Sequence, residues 1–156
     1  MATTDGPGLD PLDQRIVALL AADGRVSFTD LGRETGLSTS AVHQRVKRLE
    51  QRGAIAGYTA RIDHEQLGHG LTAFVSVRPI DHSLPDDYPD RLAHLTQITS
   101  CYSVAGDASY LLHVRVAGPS ALEGLLARIR AEGVTTRTTI VLSTPYENRP
   151  PPVAAG

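Results

Sequence analysis

The spacing of the apolar residues changes once along this chain, and that change calls for two units of different kind. As far as Gly53 the apolar positions recur at helical intervals: Leu12, Ile16, Leu19 and Leu20, then Val42, Val46 and Leu49. From Leu71 onward they alternate, with Leu71, Ala73, Val75 and Val77 separated by Thr72, Phe74, Ser76 and Arg78. A repeat of about 3.6 residues buries one stripe of a helix, whereas a repeat of about two buries one face of a sheet. The first half therefore reads as helices, and the second as strands with helices between them.

Capping residues divide the helical half into three. Asp10 is placed to cap a first helix with Pro11 at its first position, and Asp23-Gly24 closes it. Ser27-Phe28-Thr29-Asp30 has the form of a capping box for a short second helix that ends at Gly36. Ser38 caps a third, with Val42, Val46 and Leu49 on its inner side. Two short helices joined by "TGLS" form a helix-turn-helix pattern. Gly32 stands where such motifs usually carry alanine, a small residue kept at some cost in helix propensity. "AIAGYTARID" then reads as a strand, a wing beside the helices.

"HEQLGHG", residues 64–70, marks a hinge. Beyond it the order is strand, helix ("PDDYPDRLAHL"), strand ("ITSCYSVAG"), strand ("SYLLHVRVA"), helix ("PSALEGLLARIRAEG") and strand ("VTTRTTIVLST"). The second helix of this half is amphipathic through Leu122, Leu125, Leu126 and Ile129. That order is the ferredoxin-like βαββαβ plan, so the fold class is α+β. Two helices cover one face of such a sheet and leave the other bare. Yet Ile98, Tyr102 and Val104 alternate with Cys101, and Tyr110, Leu112, Val114 and Val116 with Leu111, so both faces carry apolar groups. A sheet apolar on both sides calls for a second cover, which points to a homodimer packed sheet against sheet. The expected division is a winged helix-turn-helix over 9–62, a hinge over 63–70 and the ferredoxin-like domain over 71–147. The ends, 1–8 and 148–156, read as disordered tails, the latter carrying Pro150-Pro151-Pro152.

Charge singles out the third helix. The chain has a formal net charge of -2, yet its only lysine, Lys47, sits among Arg45, Arg48 and Arg52 with Glu50 as the sole acid between Gly36 and Gly53. With the apolar stripe inward, the polar residues face out. A helix-turn-helix presents the start of its second helix to base edges in the major groove. Ser38, Thr39, Ser40, His43 and Gln44 are placed to read sequence, and Lys47, Arg48 and Arg52 to hold phosphates. Arg45 borders the inner stripe, where a DNA contact and a structural ion pair are both open.

The stretches "LDPLDQRIVALLAADGR", "LGRETGLSTSAVHQRVKRLEQRGAIAGYTARID", "CYSVAGDASYLLHVRV" and "TTRTTIVL" together resemble the Lrp/AsnC, or feast/famine, family of bacterial transcription regulators. The resemblance runs from about Leu9 to Tyr146. It implies a winged helix-turn-helix followed by a RAM-type domain that dimerises, assembles into octamers or similar rings, and binds a small effector, typically an amino acid. Carried over position by position, the effector residues are Gly106, Asp107, Ser109, Tyr110, Thr136 and Thr138. Asp107 suits an ammonium, and the threonine hydroxyls a carboxylate. Ser109 stands where many such regulators carry aspartate, one anionic anchor fewer. Apart from the resemblance, Gly106-Asp107 also suits a plain hairpin turn.

Other chemistries find little support. The six histidines show no HxxxH spacing, so no metal is expected. There is no Walker loop or GxGxxG, so no cofactor is expected either. Cys101 is the single cysteine and reads as a small buried mid-strand residue; its solitude fits a reducing cytoplasm. No apolar run approaches the length of a bilayer span, and no secretory signal is visible, so no membrane partner is expected. The expected activity is sequence-specific, effector-tuned DNA binding rather than catalysis. Two alternatives remain open: an enzyme on the same architecture, like the haem-biosynthesis tetrapyrrole decarboxylases, and a low-specificity nucleoid organiser.

Overall fold

A computed structural model describes residues 8–81 and 87–149. The chain divides into two compact units, one up to Arg61 and the other Ile62–Pro145, with the described residues from Tyr146 onward grouped with the first. The tail positions 1–7 and 150–156 lie outside the described residues.

The first unit consists of α1 (Pro11–Ala22), α2 (Phe28–Thr35) and α3 (Thr39–Gln51). Each begins at its expected cap. The Asp13 amide donates to Asp10 Oδ1 at 2.8 Å, that of Asp30 to Ser27 Oγ at 3.0 Å, and that of Ala41 to Ser38 Oγ at 3.2 Å. Ser27 Oγ also donates to Asp30 Oδ2 at 2.7 Å, completing a reciprocal start to α2. Ile16, Leu20, Leu31, Val42, Val46 and Leu49 form one buried cluster. Gly36 ends α2 with φ 71°, a left-handed conformation that suits glycine.

Gly32 has a reason that helix propensity does not supply. The turn folds back over it: the Leu37 amide donates to Gly32 O at 2.9 Å, and a Cβ at Gly32 would lie 2.6 Å from Leu37 O. Glycine here is a steric requirement of the turn as built.

The expected wing is not a strand. Residues 54–63 have no regular structure and share no ladder with the described strands. Ile55 packs against the helical cluster, and Tyr58 OH donates to Glu50 Oε1 at 3.0 Å. Residues 64–68 form turns, in which Asp63 Oδ1 accepts from the Glu65 amide at 3.0 Å and the His69 amide donates to His64 O at 2.8 Å.

The second unit has β1 (Leu71–Pro79), α4 (Tyr88–Leu92), β2 (Ile98–Ser103), β3 (Tyr110–Val116), α5 (Pro119–Ala131) and β4 (Val134–Ile140). The sheet order β2-β3-β1-β4, antiparallel throughout, is the ferredoxin-like plan. Helix α4 is shorter than "PDDYPDRLAHL", whose Pro85 and Asp86 lie outside the described residues. Ala73, Val75 and Val77 of β1 and Leu112, Val114 and Val116 of β3 pack against Tyr88 and Leu92 of α4 and Leu122, Leu125 and Ile129 of α5. The opposite face holds Phe74, 37% exposed, Tyr102, 51% exposed, and half-buried Leu111.

A bulge corrects the face assignment on β2. Ile98 pairs with Val114 while Ser100 pairs with His113, so the alternation slips by one residue between them. Ile98 joins the helix-covered face, and Tyr102, opposite Leu111, lies on the other. Cys101 is exposed, not buried, because β2 is an edge strand. It borders a cavity of about 240 Å³ with Leu92, Leu95 and Ile98, and burial of its sulfur pushes the thiol pKa up. A raised pKa leaves it a poorer nucleophile at neutral pH.

Candidate nucleic-acid interface and effector pocket

The cap and the turn together set which side chains α3 presents. Thr39, Ser40, His43, Gln44, Lys47, Arg48 and Arg52 are all exposed, while Val42, Val46 and Leu49 are buried. Ser38 is exposed too, but its hydroxyl is engaged: it caps α3 and lies 3.1 Å from Ser40 Oγ. The His43 ring stands edge-on to Phe28, with centroids 5.4 Å apart, which steadies it on the outer surface.

Arg45 belongs to a different group. Its Nη1 lies 2.7 Å from both Asp10 Oδ2 and Asp13 Oδ1. Asp13 is 2% exposed, and Arg48 approaches its other oxygen at 3.6 Å. The hydrogen bond from Arg45, then that from the Asp13 amide, holds the Asp10 carboxyl below its ordinary 3.8, and the two carboxylates push the guanidinium's pKa up in turn. Arg45 thus takes the structural ion pair, one of the two roles open to it. A carboxylate removed from water needs its counter-ion, and this one joins α1 to the middle of α3. The signal was available in the sequence: Asp10 and Asp13 are the only acids of the first helix and its cap, and Arg45 sits beside the inner stripe.

In the second unit a cavity of about 660 Å³ lies beside the β2–β3 turn. Of the six effector candidates, Asp107 and Thr136 line it. Gly106 belongs to the same turn, with φ 136°. Ser109 works through its backbone: its amide donates to Val77 O at 3.0 Å, and its carbonyl accepts from the Val104 amide at 3.0 Å. Tyr110, opposite Val77, is 7% exposed within the core. Thr138 is opposite Val75 and so shares the helix-covered face. Neither Tyr110 nor Thr138 lines the cavity.

Strand alternation turns Thr138 toward the helix-covered side, and Thr136, on that same side but nearer the β2–β3 turn, still reaches the cavity. On β4 the core residue is Val134, so Thr136 and Thr138 point to its side, and Thr135 and Arg137 point to the other. Besides Thr136 and Val77, the cavity is lined by Thr135 and Arg137 of β4, Ser76 and Arg78 of β1, and Leu111 of β3. These residues were missed, although the position of Val134 carried the phase of the strand.

A capped helix-turn-helix with an exposed polar and basic helix, followed by a ferredoxin-like unit with its own cavity, defines a DNA-binding protein with a separate α+β domain. Residues 9–50 match the AsnC-type helix-turn-helix domain and residues 72–151 the Lrp/AsnC ligand binding domain. The chain belongs to the Lrp/AsnC family of transcription regulators. It is 54% identical over 142 residues to the HTH-type transcriptional regulator LrpA of Mycobacterium tuberculosis, covering 90% of this chain and 95% of that protein. It is 37% identical over 143 residues to the leucine-responsive regulatory protein of Escherichia coli K12, covering 88% and 87%. The feast or famine regulatory protein from M. tuberculosis complexed with L-methionine superposes with a TM-score of 0.88 at 54% identity, over 91% of this chain and 97% of that one. Among the described residues, no helix is long and apolar enough to cross a membrane.

Proposed function

We propose that this regulator binds pseudo-palindromic operators as a homodimer and that an amino acid or a related small metabolite tunes its assembly or its grip on DNA. The observation that carries the DNA-binding half is the exposed set Thr39, Ser40, His43 and Gln44 at the start of α3, with Lys47, Arg48 and Arg52 beyond it. Residues at the start of the helix select bases, and the basic residues hold the backbone. The apolar sheet face of Phe74, Leu111 and Tyr102 supports dimerisation, and higher assembly into octamers or similar rings builds on it. The protein works where the chromosome is, in the cytoplasm. The effector half is supported by the cavity at the Asp107 turn and by the relative that holds L-methionine.

Footprinting on genomic fragments tests the DNA-binding half. Protected half-sites about one helical turn apart, or a multiple of that, are expected. A folded protein that protects no fragment at moderate salt contradicts it. The division of labour along α3 has its own signature. Lys47→Ala is expected to weaken binding to all sequences alike and to lower the salt-dependence slope by about 1. His43→Ala is expected to alter preference at one base position, worth about 1–3 kcal/mol of discrimination. Binding titrations on an operator and on a scrambled duplex, at several salt concentrations, separate the two. Equal losses on both duplexes from both variants refute the division.

A further inference from the structure

His43 carries the one ring on α3, and that ring leans on a second ring from α2. Phe28 opens α2 directly after the Ser27 cap, where the reciprocal bonds between Ser27 and Asp30 fix the backbone. It is half-buried and packs against the apolar cluster of the helical unit. His43, one turn into α3, is exposed and meets Phe28 edge-on, with 5.4 Å between centroids and 74° between planes. Among the described residues the His43 side chain takes part in no ion pair, so this ring contact is what orients it.

Orientation matters for a histidine that reads a base. A neutral imidazole has one donor and one acceptor nitrogen, so turning the ring changes which of them faces the base edge. A side chain on an exposed helix face samples several rotamers, and fixing one of them on binding costs free energy. An edge-to-face contact favours one arrangement before DNA arrives. A ring held this way distinguishes bases, whereas a loosely held one adapts to several. Because Phe28 is rooted in the apolar cluster, it ties the His43 ring to both helices of the motif at once.

We infer that Phe28 is a positioning residue for DNA sequence selection, acting through the His43 ring. The inference rests on the base-reading role of His43 given above and adds a residue outside α3 to those that set specificity. Phe28 sharpens the choice between sequences and leaves the sequence-independent grip on phosphates to Lys47, Arg48 and Arg52.

A double-mutant cycle on the full-length protein tests this, with titrations on an operator, its single-base-pair variants and a scrambled duplex. Phe28→Leu and Phe28→Met both refill the site with apolar atoms and lack a ring, and circular dichroism establishes that each is folded. Discrimination at the base pair read by His43 is expected to fall about two- to tenfold, the range of one aromatic pair. Affinity for the scrambled duplex is expected to stay within about twofold, and in the His43→Ala background the same substitutions should alter discrimination by less than about twofold. Phe28→Tyr, which keeps the ring, is expected to keep the discrimination. Equal losses on all duplexes, or an undiminished effect in the His43→Ala background, overturn the inference and leave base reading by His43 standing. Full discrimination in both ringless variants overturns it as well. In the parent protein, nuclear Overhauser contacts between the two rings are expected both free and on the operator. A His43 ring that leaves Phe28 on binding overturns the inference without any substitution. Unchanged base preference in His43→Ala removes the base-reading role, and this inference with it.

Discussion

Arg45→Ala is expected to destabilise the helix-turn-helix unit by about 2–3 kcal/mol, with little direct loss of DNA contact. Removing one partner of a buried ion pair strands the other, at about 3–5 kcal/mol for fully buried cases. The value here falls below that range because the Arg45 side chain keeps 24% of its surface exposed and Arg48 remains 3.6 Å from Asp13. In a unit of this size the loss corresponds to a fall in melting temperature of roughly 10–20 °C. Thermal and urea unfolding followed by circular dichroism measure it. Exchanging both partners for apolar residues, Asp13→Leu with Arg45→Met, is expected to recover most of the loss, since a well-packed apolar pair often matches a buried ionic one. DNA affinity of Arg45→Ala, measured where the variant is folded, should stay within about twofold of the parent. A variant that keeps its stability but loses affinity like Lys47→Ala would return Arg45 to the DNA-contacting set.

The pH dependence of this cluster has a definite sign. The Asp10 carboxyl is held below 3.8 in the folded chain, first by the hydrogen bond from Arg45. Its contribution is complete above that ordinary value and is lost as pH falls through the lower, folded one. Arg45→Ala removes the cause, so acid unfolding of the variant should depend less on this group than in the parent.

Gly32→Ala is expected to destabilise the same unit by about 1–2 kcal/mol, against the direction of helix propensity. Alanine in place of glycine inside a helix ordinarily contributes about 1 kcal/mol. Here the new methyl would meet Leu37 O at 2.6 Å, and that backbone atom moves only if the turn into α3 moves with it. Overpacking of this kind costs about 1–3 kcal/mol or more. A lower urea midpoint at unchanged slope is the expected result. A higher midpoint would show that the turn relaxes freely, and Gly32 would revert to a residue tolerated at a cost. Because Leu37 leads directly into Ser38 and Thr39, the variant is also expected to shift base preference more than Lys47→Ala does.

Much of the architecture was legible from the residues because the forces that set it are local. The Asp10, Ser27 and Ser38 caps, the helical stripe of Ile16, Val42, Val46 and Leu49, and the alternation of Ala73, Val75 and Val77 each act within a few positions of chain. The candidate sites were legible only in part. On α3 the spacing of the buried residues was enough to show which side chains face out. On β4 the position of Val134 sets Thr136 and Thr138 on one face and Thr135 and Arg137 on the other, but only the folded sheet shows that Thr135, Thr136 and Arg137 reach the cavity while Thr138 does not.

The sequence by itself determined two units, the order of their elements, and which helix carries the exposed polar and basic residues, because periodicity and capping are written in neighbouring positions. Only the tertiary structure decided the remaining points, each of which depends on residues distant in the chain. Arg45 is taken up by carboxylates 32 and 35 positions away. The bulge at Ile98–Ser100 appears only against β3. Gly32 is required by a carbonyl that returns over it from the next turn. Arg78 and Arg137 come to line one cavity only once β1 and β4, separated by two strands and two helices in sequence, lie side by side.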